Sequence, residues 1–171
     1  MNKTADSASE KFIVVDDKDN VIGYKSKAAI DKEDLRYRVS ALWVRNSKGD
    51  ILLARRAYTK SHDPGKWGPA VAGTVEKGES YVDNIRKEAM EEIGLTDMKL
   101  EKGPKTKRYE NHKYFTQWYT CIVNKPATEF VIQKDEVAEV RWFSKRELER
   151  QLKENTTDFL KGMGEWLAVF N

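Results

Sequence analysis

The sequence predicts a helix in the middle of the chain, over residues 80–93, with capping residues at both of its ends. Ser80 and Asp83 match a capping box, in which the serine oxygen accepts an orphan backbone N–H and the aspartate reaches back. Gly94 predicts the C-terminal end, because glycine adopts the left-handed conformation that closes many helices. The apolar residues recur every three to four positions and predict one buried stripe: Val82, Ile85, Ala89 and Ile93. The fold must therefore offer one apolar surface for this helix to cover.

Segments with the character of β-strands surround this helix, and most of them follow one another directly. Residues 11–16 (KFIVVD) and 21–26 (VIGYKS) predict a hairpin around a polar turn, and 37–46 and 51–57 predict a second one. Further strands are predicted at 69–75, 98–109, 113–124 and 137–143, and further helices at 27–35, 145–153 and 157–169. Because strands outnumber helices, the sequence predicts a fold of the α/β (α+β) class, a mixed sheet with helices packed on its faces.

The length of 171 residues is that of one ordinary domain. The polar residues 1–10 predict a disordered tail, and residues 11–171 predict a single domain with an N-terminal hairpin (11–26), a core (36–150) and a C-terminal helix (157–169). No apolar run approaches 18 residues and no signal core is present at the start, so we expect a cytoplasmic protein without membrane contact. One cysteine and two histidines cannot form a disulfide or a four-ligand zinc site within the chain.

The charges are nearly balanced overall but unevenly distributed along the chain. Lysine and arginine number 31 and aspartate and glutamate 28, and the formal net charge of +3 does not favour nucleic acid as a partner. Glutamates crowd residues 76–92, whereas basic residues crowd residues 99–113. This arrangement suits a site for metal ions and phosphates, and it equally suits two solvated faces of an ordinary protein.

Three glutamates of the central helix lie close together on its surface. Glu88 is three residues from Glu91 and four from Glu92, so the three carboxylates share one region of the helix. Like charges at this spacing destabilise a helix unless a cation lies among them. Mg²⁺ and similar ions bind carboxylate and phosphate oxygens at the same time, and the cluster therefore predicts a metal–diphosphate site.

The segment GTVEKGESYVDNIRKEAMEEIGL, over residues 73–95, resembles the Nudix box. That family pattern is Gly, five residues, Glu, seven residues, then Arg-Glu-aliphatic-x-Glu-Glu-x-Gly-aliphatic, and every fixed position matches except the arginine, which is Lys87 here. Six such positions match by chance in roughly one chain in 10⁴–10⁵ of this length. The resemblance extends to ILLARR (51–56), PGKW (64–67) and DEVAEVRWFS (135–144). It implies the Nudix α/β/α sandwich with a mixed central sheet and a loop–helix–loop formed by the box.

The resemblance also implies roles for individual residues. The candidate ligands of Mg²⁺ or Mn²⁺ are three helix carboxylates and one backbone carbonyl: Glu88, Glu91, Glu92 and Ala72. The candidate helix-orienting residues are the fixed glycines, the first box glutamate and the residue in place of the family arginine: Gly73, Glu79, Lys87 and Gly94. A lysine cannot form the two-pronged hydrogen bond that an arginine forms with a carboxylate, so reduced positioning of the glutamates and a harmless replacement both stay open.

The candidate catalytic residues are two glutamates, Glu91 and Glu136, the second of which precedes a predicted strand. Glu136 is alternatively an exposed acid at a strand end. Three basic residues that precede the box would face the phosphates of the substrate, or are surface charges: Arg55, Arg56 and Lys66. These assignments imply a metal-dependent hydrolase that cleaves a nucleoside diphosphate linked to another group, or another small diphosphate, by attack of water on phosphorus.

Two alternative functions are weighed against the hydrolase. The stretch 35–67 is similar to isopentenyl diphosphate isomerases, which need a catalytic cysteine and a histidine-rich metal site. That cysteine would fall near residues 70–72, where this chain has none, and Tyr37 stands where those enzymes have a metal-binding histidine. Cys121, the only cysteine, lies on the same side of a predicted strand as Tyr119 and Val123, and we expect its thiol to be packed in the core.

The second alternative is a non-catalytic Nudix module that binds nucleotide or RNA through the basic segment 99–113 and its aromatic neighbours, Tyr109, Tyr114, Phe115 and Trp118. Strand alternation favours these aromatics as core residues. His62 and His112 lie in polar loops, and we expect both to be solvated, since neither has a partner at metal-ligand spacing. The sequence identifies neither the substrate nor the oligomeric state, which leaves a homodimer open.

Overall fold

The computed structural model describes residues 10–110 and 112–170. The predicted disordered tail over 1–10 lies outside these residues except for Glu10, which is partly buried. The strands are β1 (Phe12–Val15), β2 (Val21–Lys25), β3 (Tyr37–Arg45), β4 (Ile51–Arg56), β5 (Trp67–Pro69), β6 (Val71–Thr74), β7 (Glu101–Arg108), β8 (Tyr114–Ile122) and β9 (Val137–Phe143). The helices are α1 (Lys27–Lys32), α2 (Tyr81–Ile93), α3 (Lys145–Glu154) and α4 (Met163–Phe170).

Strand β3 is the centre of a mixed sheet. It pairs in parallel with β8 along its whole length and antiparallel with β1, β4 and β6. Strand β4 pairs with β5 and β9, and the hairpin of β1 and β2 extends the sheet at one edge. Both predicted hairpins are confirmed, and the mixed sheet with few helices confirms the predicted fold class.

The two faces of β3 contact different helices because alternate residues of a strand point to opposite sides. Leu42 and Val44 belong to the core cluster that contains the α2 residues Ile85, Ala89 and Ile93. Ala41 and Trp43 belong to a second cluster, which contains residues of α3 and α4: Leu148, Met163 and Leu167. The sheet is therefore covered by α2 on one face and by α3 and α4 on the other.

Helix α2 begins and ends where the sequence predicts. The Ser80 side chain accepts from the Asp83 amide while the Asp83 side chain accepts from the Ser80 amide, so the capping box is complete. Gly94 has a φ of 64°, in the left-handed region that favours glycine, and the Leu95 amide returns to the Ala89 carbonyl. These caps fix the first and last turn of the helix that carries the box glutamates.

The C-terminal segment differs from its prediction. The helix predicted over 157–169 begins only at Met163, and a short 3-10 turn occupies Thr156–Asp158. The Leu160 amide donates to the Trp67 carbonyl at 2.9 Å, so the backbone before α4 pairs beside β5. Gly162 has a φ of 103°, which an α-helix cannot contain.

Smaller differences concern strand boundaries. The strand predicted over 69–75 is two strands, β5 and β6, which lie on different neighbours, β4 and β3. The strands predicted over 98–109 and 113–124 are shorter at their ends, as β7 and β8. Across the described part of the chain, the helices are all too short or too polar to span a bilayer.

Candidate active site

A cleft of about 480 Å³ opens between α2, the strands β4 to β6 and the turn before β9. Its volume lies in the range of small-molecule binding sites. Six acidic residues line it, among them Glu88 and Glu92 from α2 and Glu136 from the turn, and we name it the acidic cleft. Ala72 and Gly73 form the adjoining wall on β6. Arg55 and Arg56 also line the cleft, so the structure brings together seven of the residues that the sequence assigned to the site.

Glu88 lies directly against the backbone of Gly73. A Cβ atom at position 73 would be 2.3 Å from Cγ and 2.6 Å from Cδ of Glu88, far inside contact distance. The side chain of Glu88 is only 12% exposed. A glycine is therefore required at this position to let the glutamate lie across β6, which gives a steric reason for the first residue of the motif.

Asn84 orients the box in a way that the sequence analysis did not foresee. It is fully buried on α2, and its side-chain oxygen accepts from Ser40 Oγ on β3. Its Nδ2 lies 3.2 Å from the Thr74 carbonyl, 2.9 Å from Glu79 Oε2 and 3.4 Å from Glu88 Oε1. The amide thus links the helix to two strands and to two box glutamates. The sequence feature that could have indicated this role is the position of Asn84, a polar residue beside the apolar stripe and one turn before Glu88.

Lys87 occupies the position of the family arginine and holds several carboxylates. Its Nζ lies 2.5 Å from Glu76 Oε1, 2.6 Å from Glu79 Oε1 and 3.7 Å from Glu88 Oε1. Burial alone would lower the pKa of Lys87, but Glu76 and Glu79 raise it above its usual value. Burial alone would raise the pKa of Glu79, but hydrogen bonds from Lys87, the Glu76 amide and Asn84 lower it. One ammonium group therefore contacts three acids, although it has no planar fork.

Glu92 is the carboxylate whose ionisation is most strongly opposed. Burial, followed by the nearby charges of Glu88 and Glu136, raises its pKa to about 8, while the Ala72 amide and Lys60 act in the opposite direction. The contact from Ala72 to Glu92 is thus made by the N–H, and a metal-binding role for the Ala72 carbonyl stays a prediction. The neighbouring carboxylates of Glu88, Glu92 and Glu136 therefore attract positive charge to the cleft.

Without metal, the ionisation of Glu92 should oppose folding. Its folded pKa of about 8 lies above its usual value of 4.5, so the folded state binds more protons and the free energy of unfolding falls as pH rises between these values. We expect Glu92→Gln to be more stable than the wild type above pH 8, by on the order of 2 kcal/mol, and equal to it near pH 4. Chemical denaturation with a chelator present, near pH 4 and above pH 8, measures the difference in stability between the two proteins. The same difference at both pH values would show that Glu92 is solvated.

Glu136 forms an ion pair with Lys60, a residue that the sequence analysis missed. Lys60 Nζ lies 2.5 Å from Glu136 Oε2, and both side chains are less than one-third exposed. Lys60 belongs to the loop after β4 and lines the acidic cleft. Glu136 therefore lies in the wall of the acidic cleft with a cation at hydrogen-bond distance, and its catalytic role stays a prediction.

The predicted phosphate-binding residues divide into two groups. Arg55 and Arg56 line the acidic cleft, where Arg55 also contacts Glu139 at 3.1 Å. Lys66 instead pairs with Asp63 at 2.7 Å and is not among the described residues that line the cleft. Lys60 therefore contributes the cation that the sequence analysis expected from Lys66.

Glu91 also lies outside the wall of the cleft, counting the residues that the structure describes. Successive residues of an α-helix point about 100° apart, so Glu91 and Glu92 cannot face the same direction. Its roles as metal ligand and base stay predictions.

The donor chemistry of the cleft fits a hard divalent ion, because its acids offer only oxygen ligands. Within residues 10–110 and 112–170, however, no three His, Cys, Asp or Glu side chains already converge closely enough to form a complete ligand group. The Gly73 backbone leaves space for the Glu88 side chain, and both Ala72 and Glu88 line the cleft.

The two histidines contact each other, which the sequence did not indicate, although His62 is exposed as expected and His112 is half-buried. The rings of His62 and His112 contact each other edge-to-face, with centroids 5.2 Å apart. His112 Nδ1 lies 3.8 Å from Asp31 Oδ1, and both Asp31 and His62 line the acidic cleft. The fold brings together residues that are 50 positions apart, and no local pattern could show it.

The residues on which the alternative functions depend lie elsewhere. Cys121 is buried on β8, and burial raises the pKa of its thiol to about 11. Phe115 and Trp118 are buried core residues, as strand alternation predicts, whereas Tyr109 is exposed. Tyr37 is buried beneath Lys27 Nζ, 4.3 Å from its ring centre.

Comparison with known proteins gives the class to which this fold and site belong. The model of the NUDIX domain matches residues 34–167. The chain is 32% identical to an uncharacterized Nudix hydrolase of Yersinia pestis over 159 residues, which are 92% of this chain and 86% of the relative. The chain therefore belongs to the Nudix hydrolase family, whose members act on pyrophosphate bonds.

Two further comparisons agree with the fold and with the predicted branch. The crystal structure of DR0079 from Deinococcus radiodurans has a TM-score of 0.81 at 20% identity and covers 95% of this chain and 100% of that chain, which shows the shared fold. The isopentenyl-diphosphate Delta-isomerase of Serratia proteamaculans is 33% identical over 87 residues, 51% of this chain and 49% of the isomerase. The similarity to isomerases that the sequence predicts is thus confirmed, over half of the chain.

Proposed function

We propose that the protein is a metal-dependent hydrolase that cleaves the diphosphate bond of a nucleoside diphosphate derivative. The observation that carries this proposal is the gathering of Glu88, Glu92 and Glu136 in one cleft. The same cleft contains cations from the segment 55–60. Carboxylates attract a metal ion and repel a diphosphate, whereas the cations attract the diphosphate, so the two sets of residues suit a metal–diphosphate complex.

The carboxylates of the cleft would have two roles, binding of the metal ion and acceptance of a proton. Glu88 and Glu92 would hold Mg²⁺ or Mn²⁺, with the Ala72 carbonyl beside them. When bound, such an ion stabilises negative charge on phosphate oxygens and lowers the pKa of water. Glu136 would accept the proton of the attacking water, because it lies in the wall of the cleft together with Glu88 and Glu92. Its position in the wall of the cleft makes Glu136 a better candidate for the base than Glu91, which is not among the described residues that line the cleft.

The cations would bind the substrate and orient it. Arg55 is held by the Gly65 carbonyl at 2.8 Å, and Arg56 by the His62 carbonyl at 3.0 Å. Each guanidinium is thus fixed through Nε. Nη1 of Arg55 also contacts Glu139, so Nη2 of Arg55 and the terminal nitrogens of Arg56 remain for further contacts. Guanidinium groups bind phosphate oxygens in pairs and so fix the direction from which water attacks.

A metal titration and a substrate panel test this proposal together. We expect calorimetry to detect Mg²⁺ or Mn²⁺ binding that weakens about 10-fold in Glu88→Gln, with Glu149→Gln on the opposite layer as the matched control. The panel contains nucleoside triphosphates, dinucleoside polyphosphates, ADP-ribose, nucleotide sugars and isopentenyl diphosphate. Hydrolysis of at least one nucleotide derivative is expected. Unchanged metal affinity in Glu88→Gln would remove the metal assignment.

The isomerase and the binding module are the alternatives that the same panel separates. Isomer formation from isopentenyl diphosphate would support the first, and retained binding without turnover of any diphosphate would support the second. A cytoplasmic location and a homodimer stay predictions from the sequence.

A further inference from the structure

We propose that Asp31 and His62, with His112 as their positioning residue, form a binding site for the sugar hydroxyls of the substrate. This inference rests on the proposed function, since it assigns the group that is attached to the diphosphate. It names a polyhydroxylated group, as in a nucleoside or a nucleotide sugar, rather than a hydrocarbon chain.

Three separate segments meet at this cluster. Asp31 belongs to α1, His62 to the loop after β4 and His112 to the loop before β8. The rings of His62 and His112 have centroids 5.2 Å apart, and His112 Nδ1 lies 3.8 Å from Asp31 Oδ1. Because Asp31 and His62 also line the acidic cleft, a ligand whose diphosphate lies there can reach them with its other end.

Each member of the cluster is held by contacts that leave part of its bonding capacity available. Lys27 Nζ contacts Asp31 Oδ1 at 2.9 Å, and His112 approaches the same oxygen, so Oδ2 can accept from a ligand. Ser61 Oγ contacts His62 Nδ1 at 2.9 Å, and the His62 carbonyl accepts from Arg56. The second ring nitrogen, Nε2, can therefore donate to or accept from a ligand. The side chain of Asp31 remains 36% exposed.

The chemistry of these groups selects hydroxyls over the alternatives. A phosphate would be repelled by the Asp31 carboxylate, and an isoprenoid chain would bury that carboxylate and the imidazole without partners. A sugar diol presents two neighbouring hydroxyls, each of which both donates and accepts. A carboxylate oxygen beside an imidazole nitrogen can satisfy such a pair, and a site built in this way strongly rejects an analogue that lacks the hydroxyls.

The test compares ADP with 2′,3′-dideoxy-ADP, and both with methyl diphosphate, which has no sugar. Affinity is measured by calorimetry with Mg²⁺, and turnover by phosphate release. We expect the wild type to bind ADP at least about 10-fold more tightly than the dideoxy analogue, the scale of losing hydrogen bonds to a charged group. Asp31→Ala and His62→Ala should bring this ratio close to one, and methyl diphosphate, which has no sugar, measures how far each substitution changes the binding of anions in general. His112→Ala should lower the ratio in part.

The ratio is the decisive quantity, because removal of Asp31 also frees Lys27 and changes the attraction for every anion. Asp97→Ala, which removes an exposed aspartate outside the cleft, is the matched control and should preserve the wild-type ratio. A wild-type ratio of one, failure to bind either nucleotide, or an unchanged ratio in both Asp31→Ala and His62→Ala would overturn the inference. A retained ratio in a protein that hydrolyses no diphosphate would support the sugar site and contradict the proposed function.

Discussion

Glu92→Gln should reduce the hydrolysis of a nucleoside diphosphate derivative by at least about 100-fold, the scale of losing one strong electrostatic contact in the transition state. The substitution keeps the shape of the side chain and removes its negative charge at the point where Glu88 and Glu136 approach. A neutral amide cannot contribute a charged oxygen to a divalent ion. The measurement is the rate of phosphate release with saturating Mg²⁺.

Cys121→Ser is the control that separates hydrolysis from isomerase chemistry. The thiol lies on β8, is 4% exposed and is not among the described residues that line the acidic cleft. We expect the serine variant to melt at a lower temperature, because a hydroxyl replaces a core thiol, and to keep the wild-type rate of phosphate release. Isopentenyl diphosphate should show no conversion to its allylic isomer. Cysteine-dependent isomer formation, or full hydrolysis by Glu92→Gln, would contradict the assignment.

The parts of the fold that the sequence predicts well depend on local interactions. The ends of α2 are determined by Ser80, Asp83 and Gly94, which act within one turn of the helix. The start of α4 is determined instead by a contact between distant segments, the hydrogen bond from the Leu160 amide to the Trp67 carbonyl. Phe159 and Leu160 continue the helical spacing of Met163 but fit an extended segment against the core equally well, so the pattern could not locate that start.

The acidic cleft likewise contains residues that a local motif predicts and residues that only the fold brings together. Glu88, Glu92 and Gly73 belong to one contiguous motif, and the structure brings them together as predicted. Lys60 and Lys66 lie in one loop, and only the path of that loop selects Lys60 for the ion pair with Glu136. Composition and spacing contain no information about that path. His62 and His112 are a stronger example, since their contact depends on the arrangement of two loops.

Lys87→Met should lower both the stability and the activity of the protein. The ammonium of Lys87 contacts Glu76 and Glu79 and approaches Glu88, so its loss leaves partly buried carboxylates without a cation. Breaking a fully buried pair costs about 3–5 kcal/mol, and because Lys87 is 26% exposed we expect about 2 kcal/mol in the free energy of unfolding at pH 7. A displaced Glu88 should reduce hydrolysis by about 10- to 100-fold.

The pH dependence of this loss identifies its cause. The pKa of Glu79 is lowered in the folded state, so its ion pair stabilises the fold above its usual value of 4.5 and ceases to do so as pH falls through the folded pKa. The stability difference between wild type and Lys87→Met should therefore shrink below about pH 4. Lys87→Arg, which keeps the charge and restores the family residue, should retain most of the stability and turnover. If Lys87→Met matches the wild type in both quantities at pH 7, then the lysine has no positioning role, and Asn84 and Gly73 alone hold the box glutamates in place.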